Sequence, residues 1–587
     1  MTDTRPKAPP GDLAALFAET GVPPSMVTRA LARLGPDAGA RLREDPWRLL
    51  RVPGVGPRQA DHFAREVLGE RARPDDRRRG RSLVGYLLDE AARQGHTVTP
   101  PADVLTALER LRVPDARRAV EDALDTAEVI ALTEEPDFDE AALEDGDLPE
   151  PEETLGLARW AMAEEAAAEG LVRLTATAGP LLDDATIRTL RSGLPEDRSL
   201  ALTAALRTGV TVLRGAADDL EDAARAIAGA ASAHGVRAAV ATPTDRAAAR
   251  LRGAGAAYPI GGLHALLEPR PDAEPAPGAP PGTVVYGRGE QRPLDLDLVI
   301  VTDAAGLDVE PAAVLVEACP DGAHLVLCGE PGALPPAGPG RVLDDLEASE
   351  TVPVIALEPS GTGPLAALTA AVRGGELVAV EAPGKEVVIV PAASPGEAVH
   401  RTVQLVTDSI PRALGIPVDD VRVVVPSAAG EAGAAALNTA LKEHLNPGPG
   451  RFGGFDPGDR VLVAAPLPQA AVGENGTVTG ADATGLHVRF AGGDAVIPPA
   501  LTARLRPGWA VTAALGRGTR SRAVVAVLPP DGPDDTAALS RPLVATAFGL
   551  ALEHLSVVQG AGPALARAVR ERQAPPRRTR LARLVVQ

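Results

Sequence analysis

Val210-Thr211-Val212-Leu213 passes through Arg214-Gly215 straight into Ala216-Ala217-Asp218-Asp219-Leu220-Glu221-Asp222, a short apolar run followed by a helix-forming stretch. Four apolar or β-branched residues closed by a glycine read as a buried strand. The same unit recurs downstream, with apolar runs at 238–241, 298–301 and 325–328 separated by helical stretches. Buried strands alternating with helices predict a parallel α/β sheet. A second series, with runs at 387–390 and 421–425, predicts a second α/β domain. Between the two series, residues 268–282 are rich in Pro, Ala and Gly and read as a flexible insertion.

Outside the two sheets the texture changes. Residues 12–72 and 80–133 read as short helices broken by Gly and Pro, with Leu13, Leu16 and Phe17 at helical spacing. The second stretch is expected to form a winged-helix-like unit. Acidic residues crowd between prolines from 134 to 153, which reads as a solvated linker, and residues 1–11 as a disordered polar start. Near 452–505, Gly458-Asp459-Arg460-Val461 and Asn475-Gly476-Thr477-Val478 carry hairpin signals and predict a small β-barrel insert. The expected order is therefore a helical module, an acidic linker, one α/β domain at 154–350 and a second at 351–587 holding the barrel.

Composition narrows the function classes. Of 587 residues, 45% are hydrophobic and 24% charged, a globular balance. The net charge of −20 repels phosphate overall, so nucleic acid must be held by local basic patches. Cys319 and Cys328 give neither a disulfide framework nor zinc spacing, which points to a reducing, cytoplasmic compartment. No apolar run reaches the roughly 18 residues of a membrane span, and no metal or cofactor site is expected from the scattered histidines or from His264.

The sharpest motif is Val52-Pro53-Gly54-Val55-Gly56-Pro57-Arg58-Gln59-Ala60, followed by Phe63 and Val67 on one helical face. It resembles the helix-hairpin-helix signature at every defining position. The resemblance implies that Gly54, Val55 and Gly56 bring backbone close to a DNA phosphate, with the next helix N-terminus facing the anion and Arg58, Gln59 and Arg65 beside it. The competing reading is a tight helix–helix turn. Arg71, Arg73, Arg77, Arg78, Arg79 and Arg81 follow, either as further phosphate contacts or as a solvated face.

The whole succession is similar to the RecD-like branch of superfamily-one helicases: a helix-hairpin-helix module, two RecA-like (P-loop NTPase-like) domains and a small SH3-like barrel in the second. That resemblance implies an ATP-dependent 5′-to-3′ DNA helicase, yet the motor motifs depart from the family. The phosphate loop Gly-x-x-x-x-Gly-Lys-Thr is matched by Gly215 alone, with Leu220, Glu221 and Asp222 at the last three places, and no lysine occurs between Lys7 and Lys385. A carboxylate about 4 Å from a phosphate charge costs about 4 kcal/mol at an effective dielectric of 20. Thr302-Asp303 stands where Asp-Glu is expected, Ala333 where a phosphate-sensing glutamine is expected, and Leu550 where the arginine finger is expected. Thr242 and Thr244 resemble the family's single-stranded DNA element, with helix capping as the alternative.

The sequence therefore predicts a non-catalytic, sequence-independent DNA-binding protein on a RecD-like scaffold. It is expected to be nucleoid-associated and an accessory to recombination or repair proteins, with no catalytic residue, metal or cofactor. The alternatives are an active helicase using ATP and magnesium through atypical motifs, and an acidic protein-interaction scaffold that does not bind DNA.

Overall fold

The computed structural model describes residues 11–134, 151–252, 256–273, 283–529 and 539–586. The start at 1–10, most of the acidic segment and residues 274–282 of the Pro/Ala/Gly insertion lie outside them.

The N-terminal helices Gly11–Glu19, Met26–Leu34 and Ala38–Glu44 lead through the short turn Pro46–Arg51 to the hairpin and the helix Pro57–Leu68. Phe17 and Phe63 meet edge to face with ring centroids 6.0 Å apart. The next helices, Arg77–Arg93, Pro101–Arg110 and Ala116–Leu124, carry a three-stranded antiparallel sheet ordered Val98–Thr99, Glu152–Leu157, Val129–Glu134. Its middle strand takes in Glu152 and Glu153, the far end of the segment read as linker, because Leu155 is buried in the core there. One continuous core running from Leu13 to Leu155 serves both helical units, so they pack as one body.

The first α/β sheet is wholly parallel. Its order is Ile260–Gly262, Ala238–Thr242, Leu298–Val301, His324–Gly329, Val210–Arg214, Val354–Ala356, and its middle strands are buried on both faces, as a parallel sheet requires. The second is also parallel, ordered Val387–Pro391, Ala551–Gln559, Ser521–Leu528, Val421–Val425, Ala510–Thr512. Between its strands sits a five-stranded antiparallel sheet, Arg460–Val463 through Leu505–Pro507, around its own small core of Val461, Val478, Val488 and Ile497.

Two features depart from the expected division at residue 350. Val354–Ala356 pairs in parallel with Val210–Arg214 and so belongs to the first sheet. The C-terminal segment also returns to the first domain, where Leu581 and Val585 join its core and Arg577 donates to the carbonyls of Gly338 (2.8 Å) and Gly340 (2.7 Å). Apolar side chains on the last helix found their cover there rather than on the sheet that precedes them.

This return is tied down by buried acids. Glu164 Oε1 accepts the backbone N–H groups of Arg580 (2.8 Å) and Leu581 (3.1 Å), and Asp345 accepts from Thr579 Oγ1 at 3.0 Å. Burial pushes Glu164 up to about 7 and Asp345 up to about 6. A carboxyl raised in the folded state binds its proton more tightly there than in the unfolded chain. Its contribution is present below the unfolded value, 4.5 for Glu164, and is lost as pH rises through about 7. The urea midpoint is therefore expected to fall between about pH 5 and pH 8, with Glu164 contributing on the order of 3 kcal/mol. Glu164→Gln should flatten that slope; an unchanged slope would show that this carboxyl does not set it.

Candidate nucleic-acid hairpin and nucleotide cleft

Gly54 has φ 90°, a left-handed conformation that costs a side-chain-bearing residue about 1–2 kcal/mol. Val55 is buried and anchors the turn. Gly56 caps the helix Pro57–Leu68, whose first residue is a proline, pre-set for a helix start. Gln59 is committed internally: its Oε1 accepts the Gly56 N–H at 2.9 Å, the glutamine half of a capping box. Arg58 and Arg65 stand exposed beside it. A side chain at Gly56 would meet nothing within 4 Å. Gly56→Asp is accordingly expected to leave the melting temperature within a degree or two while weakening duplex binding about tenfold or more, as read by fluorescence anisotropy; full retention of affinity would remove the hairpin from the DNA surface.

The arginine run downstream is mostly structural. Arg79 is buried against Asp61 (2.8 Å) and the Leu111 carbonyl (3.0 Å), Arg81 bonds Asp45 at 2.8 Å, Arg77 pairs with Asp122 and Arg78 with Asp76 at 2.7 Å. These cations fasten helices to one another and leave little charge for phosphate.

Between the two sheets lies a cleft lined by Leu220, Glu221, Thr302, Asp303, Glu330, Ala333, Arg517, Arg520, Thr546 and Leu550. Six residues of the family's nucleotide motifs thus converge, whereas Gly215 and Asp222 stay outside the lining; Asp222 pairs with Arg225 on the helix surface. The strand Val210–Arg214 is followed by only Gly215 and Ala216 before the helix Ala217–Ala233 starts. No wrapping loop exists. The acids expected at the lysine and magnesium places are helical residues, and Leu220 is 4% exposed in the core. Asp218 and Asp219 in the first turn favour this early start, because carboxylates stabilise a helix N-terminus.

The place of a phosphate at that N-terminus is taken by a carboxylate of the chain itself. Glu330 Oε1 accepts the Ala217 N–H at 3.0 Å and pairs with Arg373. Burial raises the Glu330 carboxyl, against the opposing pull of Arg373. Opposite it, Arg517 holds both oxygens of Asp303 at 2.8 and 3.2 Å, and Arg520 reaches Asp218 at 3.1 Å and Glu221 at 3.9 Å. Burial pulls Arg520 down, but the bond to Asp218 and the charges of Glu221 and Glu330 outweigh it and leave it raised. Asp303 occupies φ 52°, a strained backbone held by the Arg517 fork. Thr546 Oγ1 accepts the Leu334 N–H at 3.0 Å, adding a further bond across the joint. The remaining cavity is about 60 Å³, room for a few water molecules. Each cleft arginine is held by a carboxylate, Arg373 by Glu330, Arg517 by Asp303 and Arg520 by Asp218.

Arg373 and Arg520 were not legible as cleft residues, since no motif spacing marks them. The imbalance of acids at 218–222 was the available signal: clustered carboxylates at a domain joint call for cations from across it.

Thr242 and Thr244 are 0% and 1% exposed. Thr242 Oγ1 donates to the Thr244 carbonyl at 2.8 Å. Thr244 caps the helix Asp245–Leu251, accepting the Ala247 N–H at 3.2 Å, and its hydroxyl meets Thr519 of the second domain at 2.7 Å. Neither threonine is exposed: Thr242 bonds carbonyls of its own domain, and Thr244 caps a helix and meets the second domain. His264 bonds the Tyr286 hydroxyl (3.0 Å) and the Pro468 carbonyl (3.2 Å), a link between the first domain and the barrel. Among the described residues no group of three metal-ligating side chains occurs, and no helix is long and apolar enough to cross a membrane.

Comparison with known proteins agrees with this domain order. Residues 11–98 match the model of the ATP-dependent RecD2 DNA helicase HHH domain, and residues 202–339 match an AAA domain model. The ATP-dependent RecD2 DNA helicase of Deinococcus radiodurans is 27% identical over 573 residues, covering 94% of this chain and 75% of the relative. Among solved structures, a Pif1 helicase described in DNA unwinding at forked duplex is 13% identical, with 63% of this chain and 94% of that chain covered and a TM-score of 0.35. A Bacteroides Pif1 helicase in complex with ADP-AlF3 and single-stranded DNA is 13% identical, with 61% and 90% covered and a TM-score of 0.36. With its hairpin module placed ahead of two parallel sheets, the chain is similar to the RecD-like family of superfamily-one helicases.

Proposed function

We propose that this protein binds the DNA backbone without sequence preference and does not use ATP, acting as an accessory factor beside recombination or repair proteins in the nucleoid. The observation that carries the reading is the Glu330 carboxylate on the Ala217 N–H with Arg373 beside it: the anion site of the motor is filled from within. Four carboxylates, Asp218, Glu221, Asp303 and Glu330, are matched by four arginines, Arg250, Arg373, Arg517 and Arg520. A triphosphate would have to displace carboxylates from these cations in a cleft whose acids and arginines already balance, a substitution that returns no net pairing. DNA contact is assigned to the hairpin of Gly54, Val55 and Gly56 with exposed Arg58 and Arg65, a backbone-reading surface.

Millimolar Mg-ATP is expected to leave the melting curve unmoved. A ligand held only by the folded state adds about 2.7 kcal/mol at 100 times its dissociation constant. A saturable rise in melting temperature with Mg-ATP, together with DNA-stimulated phosphate release, would instead establish the active-helicase reading, with Arg517 and Arg520 freed to serve the phosphates.

A further inference from the structure

The hairpin module packs on the barrel: the helix Met26–Leu34 lies against the turn Pro499–Arg504. Arginines gather along this seam. Arg29 Nη1 stands 3.7 Å from where a Cβ on Gly54 would be, so its guanidinium lies against the hairpin apex, and its described bond is to the Met26 sulfur at 3.8 Å. Arg33 donates to the Arg51 carbonyl at 3.1 Å. From the barrel, exposed Arg506 donates to the carbonyls of Ala503 (2.6 Å) and Leu505 (2.8 Å), and Arg504 to that of Pro466. The described bonds of Arg29, Arg33 and Arg506 thus go to neutral acceptors. The nearby carboxylates are engaged elsewhere, Asp89 with Arg93 at 2.5 Å and Glu128 with Arg51.

These cations also repel one another across the seam. Burial is the first cause that lowers Arg33, Arg504 and Arg506, and the second module adds to it: Arg504 is lowered further by Arg33, and Arg506 by Arg29. In a chain of net charge −20, like charges held together by packing mark a place that gains from a polyanion.

We propose that the seam between the hairpin module and the barrel is a phosphodiester site, in which Arg29, Arg33 and Arg506 with Arg504 grip the DNA backbone next to the phosphate held at Gly54–Gly56. This rests on the DNA-binding reading above and extends it: the DNA path runs from the hairpin across the barrel's outer strand Leu505–Pro507, fixing the module and the barrel on one backbone. The contact reads charge and not bases, so it is blind to sequence.

The test is a salt titration of full-length protein on a labelled duplex with a single-stranded tail, from about 50 to 300 mM NaCl, where each phosphate neutralised contributes about 0.9 to the logarithmic slope. Arg29→Gln/Arg506→Gln is expected to lower the slope magnitude by about 2 and to weaken binding about tenfold or more. Its melting temperature should equal or exceed that of the wild type, because repulsion is relieved. Arg506→Lys should keep the slope, as should Arg489→Gln, which removes an exposed barrel charge whose partner is Asp494. If wild type binds and the double variant keeps the full slope, the seam is a structural contact only and the hairpin reading stands. If wild type does not bind the duplex or its tail, the DNA reading falls and the seam falls with it.

Discussion

Leu220→Gly/Glu221→Lys/Asp222→Thr, which writes the family's phosphate-loop residues into this chain, is expected to lose about 4–6 kcal/mol of stability and to gain no nucleotide binding. Leu220 is 4% exposed in the core beside Leu213 and Ile227, and truncating a buried leucine costs about 2–5 kcal/mol. Glycine within a helix adds about 1 kcal/mol relative to alanine. Lysine at 221 removes the partner of Arg250 and sets an ammonium against Arg250 and Arg520. The gain is missing for a geometric reason. Only Gly215 and Ala216 separate strand from helix, so the restored residues sit on a helix and no backbone curls around a phosphate. Leu550 is buried beside the cleft and offers no charge, and the arginines that do reach it, Arg373, Arg517 and Arg520, are each held by a carboxylate. Urea midpoints and Mg-ATP calorimetry on wild type and variant check both halves. A variant as stable as the wild type and binding Mg-ATP would show that a real loop forms over 215–222.

Glu330→Ala should be the most damaging single change among the charged residues of the cleft, at about 3 kcal/mol. The Glu330 and Arg373 side chains are 18% and 16% exposed, and removing one partner of a largely buried pair leaves the other charge uncompensated, which costs about 3–5 kcal/mol when burial is complete. The Ala217 N–H loses its acceptor at the same time. Arg373→Met/Glu330→Met removes both charges and keeps apolar volume, so it should recover most of the loss. Because the pair sits where the two α/β domains meet, Glu330→Ala should also raise amide hydrogen exchange in the first turn of the helix Ala217–Ala233. Unaltered urea midpoints for the single variant would mean that the joint does not depend on this pair.

Several of these features could be read before any coordinates. The Gly-x-Gly hairpin was legible because positive φ and a proline-led helix are local demands that glycine and proline alone satisfy, as Gly54 and Pro57 do. The two parallel sheets were legible because strands buried on both faces are predominantly apolar, as at 210–213 and, apart from Arg422, at 421–425. The missing lysine was legible because its absence between Lys7 and Lys385 requires no alignment.

What the sequence by itself determined were local chemical facts: the hairpin, the alternation of strand and helix, and the absence of lysine between Lys7 and Lys385. Where charges end up was decided by the tertiary structure. Only folding brought Glu330 onto the Ala217 N–H, delivered Arg373 and Arg520 to the cleft from sites more than a hundred residues away from the acids at 218–221, and buried Thr244 against Thr519. It also spent the arginines at 77–81 on Asp122, Asp76, Asp61 and Asp45, and gathered Arg29, Arg33 and Arg506 along one seam. The physical reason is range. Backbone preference and hydrophobic period act over a few residues and are written in order along the chain, whereas an ion pair depends on a few ångströms in space, and that distance exists only once the sheets have packed.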